Sequence, residues 1–212
     1  PRLFNFFIKQ PLVQSLSKRT IGMVDLPLLS SPTLKQQLAG HSALAMTLEE
    51  LEQLSEKQRS HYVIVVQDPF TSYYDAKVVA DFIKLIEKIG FKPVLLPFSP
   101  NGKAQHIKGF LQQFSKTAQN TATMLNRVAQ LSIPMVGVDP ALVLCYRDEY
   151  REILGDKRGN FKVQPVHEWL NQLVSEPIEI CADAEKWYLF SHCTESTALP
   201  QSMQQWQAIF QR

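Results

Sequence analysis

Three short apolar runs constrain the fold more than any other feature of the sequence. They are residues 62–67 (Y-V-I-V-V-Q), 93–97 (P-V-L-L-P) and 134–138 (P-M-V-G-V), and a helix-length segment separates each from the next. An unbroken run of this length, without polar alternation, suits a strand buried on both faces, as in a parallel sheet covered by helices. Over residues 75–89, Val78, Val79, Phe82, Ile83, Ile86 and Ile89 recur at helical spacing, and Gly90 is placed to end that helix. Over residues 103–131, Ile107, Phe110, Leu111, Phe114, Ala118, Ala122, Leu125 and Val128 form a second stripe. That stretch is long for one helix, so a kink is expected near Ser115. After the third run, Asp139 is placed to cap a helix with Pro140 at its first position, and Gly155 to end it.

The predicted fold class is therefore α/β, a Rossmann-like parallel sheet with helices on both faces. Residues 1–60 read as an N-terminal helical lead-in. It holds a short helix near 12–20, an irregular stretch at 25–32, and a helix over 47–58 opened by a Thr47/Glu50 capping box. Residues 61–160 form the first α/β unit, with residues 68–74 as a turn around Pro69. Residues 161–212 start a second unit: a helix over 165–174 around Trp169 and Leu170, a strand at 187–190 (W-Y-L-F), and a helix from 200 to 210. The strand–turn–helix at 187–210 echoes the one at 62–89. The absence of an initiator Met and the final helix at the chain end read as cut ends.

Composition excludes several function classes. A chain of 212 residues that is 45% hydrophobic can bury a core without staples. Its formal charge of +2 implies no strong field for nucleic acid, and no apolar run approaches the roughly 18–20 residues needed to cross a bilayer. The cysteines, Cys145, Cys181 and Cys193, show no C-x-x-C spacing. An odd count without a secretory signal argues for a reducing compartment and for small buried thiols. Glycine-rich phosphate loops and a G-x-S-x-G elbow are both absent. His41, His61, His106, His167 and His192 form no zinc-type pair. The charged segment 146–152 reads as a solvated helix face, as do Lys103, His106, Lys108, Lys116 and Arg127. What remains is three turns, at Asp68-Pro69-Phe70, Pro100-Asn101-Gly102 and Asp139-Pro140, on the edge where open α/β sheets place their ligand crevice.

The segments V-Q-D-P-F-T-S-Y-Y-D-A-K-V-V (66–79), P-V-L-L-P-F-S-P-N-G-K (93–103), G-V-D-P-A-L-V-L-C-Y-R-D-E-Y (137–150) and S-H-C-T-E (191–195) resemble the cysteine-rich CCG domain. That domain occurs in heterodisulfide reductase subunits, in the iron–sulfur subunits of glycolate oxidase and anaerobic glycerol-3-phosphate dehydrogenase, and in lactate-utilisation proteins. The nearest resemblance is to large bacterial FAD-linked oxidases similar to D-2-hydroxyglutarate dehydrogenase, where FAD and ferredoxin-like domains precede it. In that family each repeat supplies an early cysteine, a Cys-Cys-Gly turn and a Cys-x-x-Cys to an iron–sulfur cluster. Here Asp68 stands near the early cysteine, Pro100-Asn101 where the pair would be with Gly102 retained, and Asp139 and Leu142 at the Cys-x-x-Cys. The first repeat (61–160) thus lacks the family's ligands. In the second, Cys193 matches the early cysteine, while the rest would fall after Arg212.

The resemblance implies an intact protein that oxidises a small D-2-hydroxyacid (2-hydroxyglutarate- or lactate-like) with FAD and an iron–sulfur cluster, this chain being part of its C-terminal domain and inactive alone. It implies Cys193 as a candidate cluster ligand in the intact protein only, and no cofactor held by this chain. It further implies FAD and ferredoxin-like domains of the same polypeptide as partners, no nucleic acid, no transmembrane segment, and a cytoplasmic location, free or peripheral to the inner membrane. Two alternatives remain open: a non-redox scaffold that docks a partner, and an independent small-molecule-binding protein using the three turns.

Overall fold

The first apolar run is buried along its whole length and forms β1 (Tyr62–Val66). It is buried because it lies inside the sheet. On one side is β2 (Lys92–Leu95), on the other β3 (Met135–Gly137), and beyond β3 lies β4 (Val163–Pro165). Every pairing is parallel, with Ile64 opposite both Val94 and Met135, and Gly137 opposite both Val66 and Pro165. The computed structural model describes residues 1–173 and 188–211.

The helices before β1 are α1 (Arg2–Ile8), α2 (Pro11–Ile21), α3 (Leu34–Gln37), α4 (Leu48–Gln53) and α5 (Glu56–Arg59). Between β1 and β2 come α6 (Pro69–Tyr73) and α7 (Ala76–Lys88); between β2 and β3, α8 (Lys103–Ile107) and α9 (Leu111–Ala129). α10 (Pro140–Arg147) and α11 (Glu149–Leu154) lead to β4, and α12 (Val166–Leu173), α13 (Cys193–Ala198) and α14 (Ser202–Phe210) follow it.

Alternation of side chains along β1 divides the core into two layers. Tyr62, Ile64 and Val66 pack with Phe114, Ala118, Ala122, Leu125 and Val128 of α9 and with Tyr146 and Tyr150. Val63 and Val65 pack with Val79, Phe82, Ile83 and Ile86 of α7 and with Trp169 of α12. Trp169 meets Phe82 and Phe91 edge-on, with centroids 5.9 and 5.8 Å apart. α7 ends as its sequence dictates: the Gly90 N–H bonds to the Glu87 carbonyl and the Phe91 N–H to Ile86, with Gly90 left-handed at φ 92°. Gly137 has a different reason. A Cβ there would lie 2.5 Å from Val143 Cγ2, so only glycine lets α10 approach β3 this closely.

Several elements differ from expectation. The long stripe at 103–131 breaks at Gly109, left-handed at φ 76°, and not near Ser115. The expected turn after β1 is the short helix α6, because Asp68 caps it and Pro69 fits its first position. The helix expected over 47–58 is two, α4 and α5, since Ser55 and Gln58 form a second capping box after the expected Thr47/Glu50 one. The helix after Asp139 is likewise divided, at Asp148. Pro165 ends a fourth strand, tolerated on a sheet edge, and does not begin a helix. Tyr188, Leu189 and Phe190 form no strand, and Trp187 lies outside the described residues.

Three further connections are tertiary. Leu34, Leu38 and Leu51, from the expected lead-in, are buried in the main core. α7 receives no cap from its own Asp75; instead the Ala76 N–H donates to Ser30 Oγ at 2.8 Å, across 46 residues of chain. β4 and α12 lie past residue 160, the expected boundary of the first repeat, yet complete its sheet and cover its face.

Candidate functional site

The carboxyl ends of β1, β2 and β3 bring the three marked turns together. After β1, the Asp68 carboxylate accepts the Thr71 backbone N–H at 2.8 Å and the Thr71 hydroxyl. Burial pushes this carboxyl above the usual range, and nearby Asp139 adds to the rise while the Thr71 bonds oppose it. After β2, Asn101 is buried and fully engaged. Its Nδ2 donates to the Leu142 carbonyl at 3.3 Å, its Oδ1 accepts the Lys103 N–H at 2.9 Å, and its carbonyl accepts the Tyr150 hydroxyl at 2.8 Å. Gly102 is left-handed, and a Cβ there would lie 2.8 Å from Phe114 Cδ2. After β3, Asp139 Oδ1 accepts the Leu142 N–H at 3.0 Å, the expected cap of α10. Asp139→Ala is expected to lower unfolding free energy by about 0.5–2 kcal/mol, read by urea denaturation; an unchanged midpoint would show the cap to be dispensable.

Of the five positions matched to cluster ligands in the resembled family, Asp68, Asn101, Asp139 and Leu142 are thus joined to one another or to their own helices by hydrogen bonds, and the Pro100 carbonyl accepts the Thr121 hydroxyl at 2.8 Å. Carboxylate, amide and aliphatic side chains offer no soft donor, so they do not fit an iron–sulfur cluster. Cys145 does not repair this. It is fully buried, and burial, with Glu149 adding, pushes its thiol up to about 12. Lys103 pairs with Glu149 beside it, so it is no part of a solvated basic face. Arg127 pairs with Glu49 and Glu52 and stays half exposed, as expected of a solvated helix face. The charged segment 146–152 also departs from a plain solvated face, since Tyr146 and Tyr150 are core residues and Arg147 donates to Glu168 from both Nη1 and Nη2, at 2.8 and 2.5 Å.

Cys193 is exposed and is the first residue of α13, which packs beside α10. His192 caps that helix, its Nδ1 accepting the Thr194 N–H at 3.2 Å, so the imidazole serves the backbone and not the thiol. Glu195 is buried. Its Oε1 accepts the Trp206 indole N–H at 2.7 Å and lies 3.3 Å from His167 Nδ1. Burial depresses the His167 pKa, with Glu195 acting against it. Sequence patterning gave no signal for this pair, because its partners sit on different helices. Arg158 was missed because Gly155-Asp156-Lys157-Arg158-Gly159 carries the signature of an exposed charged turn. It is buried and bonds the carbonyls of Tyr146, Gly159 and Phe161. Cys181 lies outside the described residues. Among the described residues no three His, Cys, Asp or Glu side chains converge as a metal site, and no helix is long and apolar enough to cross a membrane.

Fold and site together define a parallel α/β domain whose carboxyl-edge turns are closed by hydrogen bonds. No family model matches the chain, and no solved structure matches it. Among curated proteins, the whole chain is 67% identical over 212 residues to part of the D-2-hydroxyglutarate dehydrogenase of Pantoea ananatis. It is 64% identical over 213 residues to part of the Escherichia coli protein of that name, and 55% over 219 residues to that of Haemophilus influenzae. In each case the chain spans 21% of the relative's length.

Proposed function

We propose that the chain is the CCG-type domain of an FAD- and iron–sulfur-dependent dehydrogenase that oxidises D-2-hydroxyglutarate or a similar small D-2-hydroxyacid in the cytoplasm. The observation that carries this reading is the 67% identity across all 212 residues to a protein named for that activity. In the intact polypeptide a flavin would supply the hydride acceptor that conversion of a 2-hydroxyacid to its 2-oxoacid needs. The strand-to-helix turns here carry no glycine-rich loop, so the flavin would be held elsewhere in the intact polypeptide. The closed hydrogen-bond network around Asp68, Asn101 and Asp139 favours a scaffolding role for this part of the chain. Cys193 is the residue of this chain proposed to contribute a soft ligand, completed by thiolates from elsewhere.

The test uses the intact protein. Anaerobic addition of D-2-hydroxyglutarate should bleach its visible flavin absorbance, and the L-enantiomer should not. A protein without flavin, or a flavin that stays oxidised with D-2-hydroxyacids, would refute the reading. Cys193→Ser should keep the flavin content and lower the iron content. Unchanged iron would remove Cys193 as a ligand and leave this domain a scaffold.

A further inference from the structure

α1 is fastened to the domain by its polar side. Asn5 Nδ2 donates to the Leu29 carbonyl at 2.7 Å and Asn5 Oδ1 accepts the Leu29 N–H at 2.9 Å, while Ile8 is buried beside them. At about 100° per residue, this anchoring turns Leu3, Phe6 and Phe7 to the opposite arc, while Phe4, one turn before Ile8, flanks the buried edge. Leu3, Phe4, Phe6 and Phe7 are 71%, 44%, 59% and 51% exposed. α2 follows and packs against α1. It has 11 residues and none is buried, with Leu12 and Leu16 one turn apart and open to solvent. Helices shorter than about 12–15 residues are marginal in water and take their stability from packing an apolar face. Exposed large apolar side chains grouped on two adjoining helices mark an interaction surface. Its charge is one-sided: residues 1–24 contain Arg2, Lys9, Lys18 and Arg19 and no Asp or Glu.

We infer that the outer face of α1 and α2 is an intramolecular docking surface, covered in the intact polypeptide by an apolar surface rimmed with carboxylates. This rests on the reading of the chain as part of a longer protein. The relatives that match it throughout are about five times its length, so most of such a polypeptide lies outside this domain. Covalent connection presents that remainder at an effective concentration in the millimolar range, an advantage that a lipid surface or a second copy lacks. The four basic residues select an acidic rim by complementarity.

Site-resolved labelling of the full-length polypeptide tests this. Phe7→Cys, Leu16→Cys and, as an exposed control, Lys35→Cys are alkylated separately in native buffer, and each site is read by peptide mass spectrometry. Phe7→Cys and Leu16→Cys should react roughly tenfold or more slowly than the control, as expected of a surface closed by tertiary contact. Equal rates overturn the inference. So does protection that appears only with vesicles containing anionic phosphatidylglycerol, which would assign the face to lipid, or protection that is lost on dilution, which would assign it to a second copy. Hydrogen exchange over residues 2–21 of the unsubstituted protein repeats the measurement should a cysteine variant misfold, with slow exchange expected and fast exchange refuting. None of these readings uses substrate or flavin, so the docking surface and the dehydrogenase reading fail separately.

Discussion

Arg158→Ala lowers the unfolding free energy by about 3 kcal/mol or more, and Arg158→Lys recovers little of it. The guanidinium donates from Nε to the Tyr146 carbonyl at 2.8 Å, from Nη1 to Gly159 at 2.9 Å and from Nη2 to Phe161 at 3.0 Å. It also lies 4.2 Å over the Phe161 ring. These bonds join α10 to the approach to β4, which is why a strand of three residues holds its place at the sheet edge. Hydrogen bonds from a charged group contribute roughly 1.5–3 kcal/mol each, and a buried carbonyl left bare costs about 1–3. Water entering from the open cleft that Arg158 lines with Arg147, Arg151 and Gly159 offsets part of that loss, so the sum is not additive. Lysine presents a point charge on a flexible stem and cannot serve three carbonyls set by a planar fork. Arg158→Met keeps most of the apolar packing and separates the two contributions. Equal denaturation midpoints for Arg158→Lys and the unsubstituted protein would show that charge, and not the fork, holds this corner.

The second large effect is expected at alkaline pH. Cys145, Tyr146 and Tyr150 are buried together, and desolvation raises the pKa of each, the Cys145 thiol to about 12 and both phenols well above 10. In the unfolded chain the thiol releases its proton near 9 and the phenols near 10. As pH rises the unfolded state therefore loses protons that the folded state still holds, and stability falls. The thiol acts alone from about pH 9 and the phenols join from about 10, each contributing about 1.4 kcal/mol per pH unit. The fall is complete for the thiol once its folded pKa is reached. Between about pH 10.5 and 11.5 the combined loss is roughly 3–4 kcal/mol. Lysine deprotonation acts over the same range, so the decisive comparison is a Cys145→Ala, Tyr150→Phe double variant. Its stability should decline with a slope smaller by about two protons. An unchanged slope would mean that these groups ionise as readily in the folded protein as in the unfolded chain.

The carboxyl-edge site was partly legible. Asp68, Asn101 and Asp139 stand out because each follows a buried strand, and the capping role of Asp139 follows from the proline after it. What the residues do to one another was not legible. The Asn101 side chain reaches the Leu142 carbonyl 41 residues away, and the Tyr150 hydroxyl reaches back 49 residues to the Asn101 carbonyl. The burial of Glu195 was not legible for a related reason. A carboxylate between Thr194 and Ser196 carries the signature of an exposed turn, and only the approach of Trp206 and His167 from α14 and α12 gives it buried partners. The expected kink at Ser115 failed because apolar periodicity continues through Gly109, and a left-handed glycine interrupts a helix without interrupting its stripe.

The sequence by itself determined the parallel sheet core and the helices that cover it. Burial of a central strand on both faces requires an unbroken apolar run, and helical cover requires a periodic stripe, so residues 62–66 and 76–88 could form little else. It also determined the local stops and starts, at Gly90, Asp139 and Thr47, because a cap is satisfied within a few residues of itself. Tertiary structure alone decided the fourth strand, the capping of α7 by Ser30, the burial of Arg158 and Glu195, and the closure of the carboxyl-edge turns. Each of these depends on a partner dozens of residues distant or on a separate helix. A hydrogen bond of that kind leaves no periodicity in the chain, since the distance it spans is set by how the layers pack and not by spacing along the sequence.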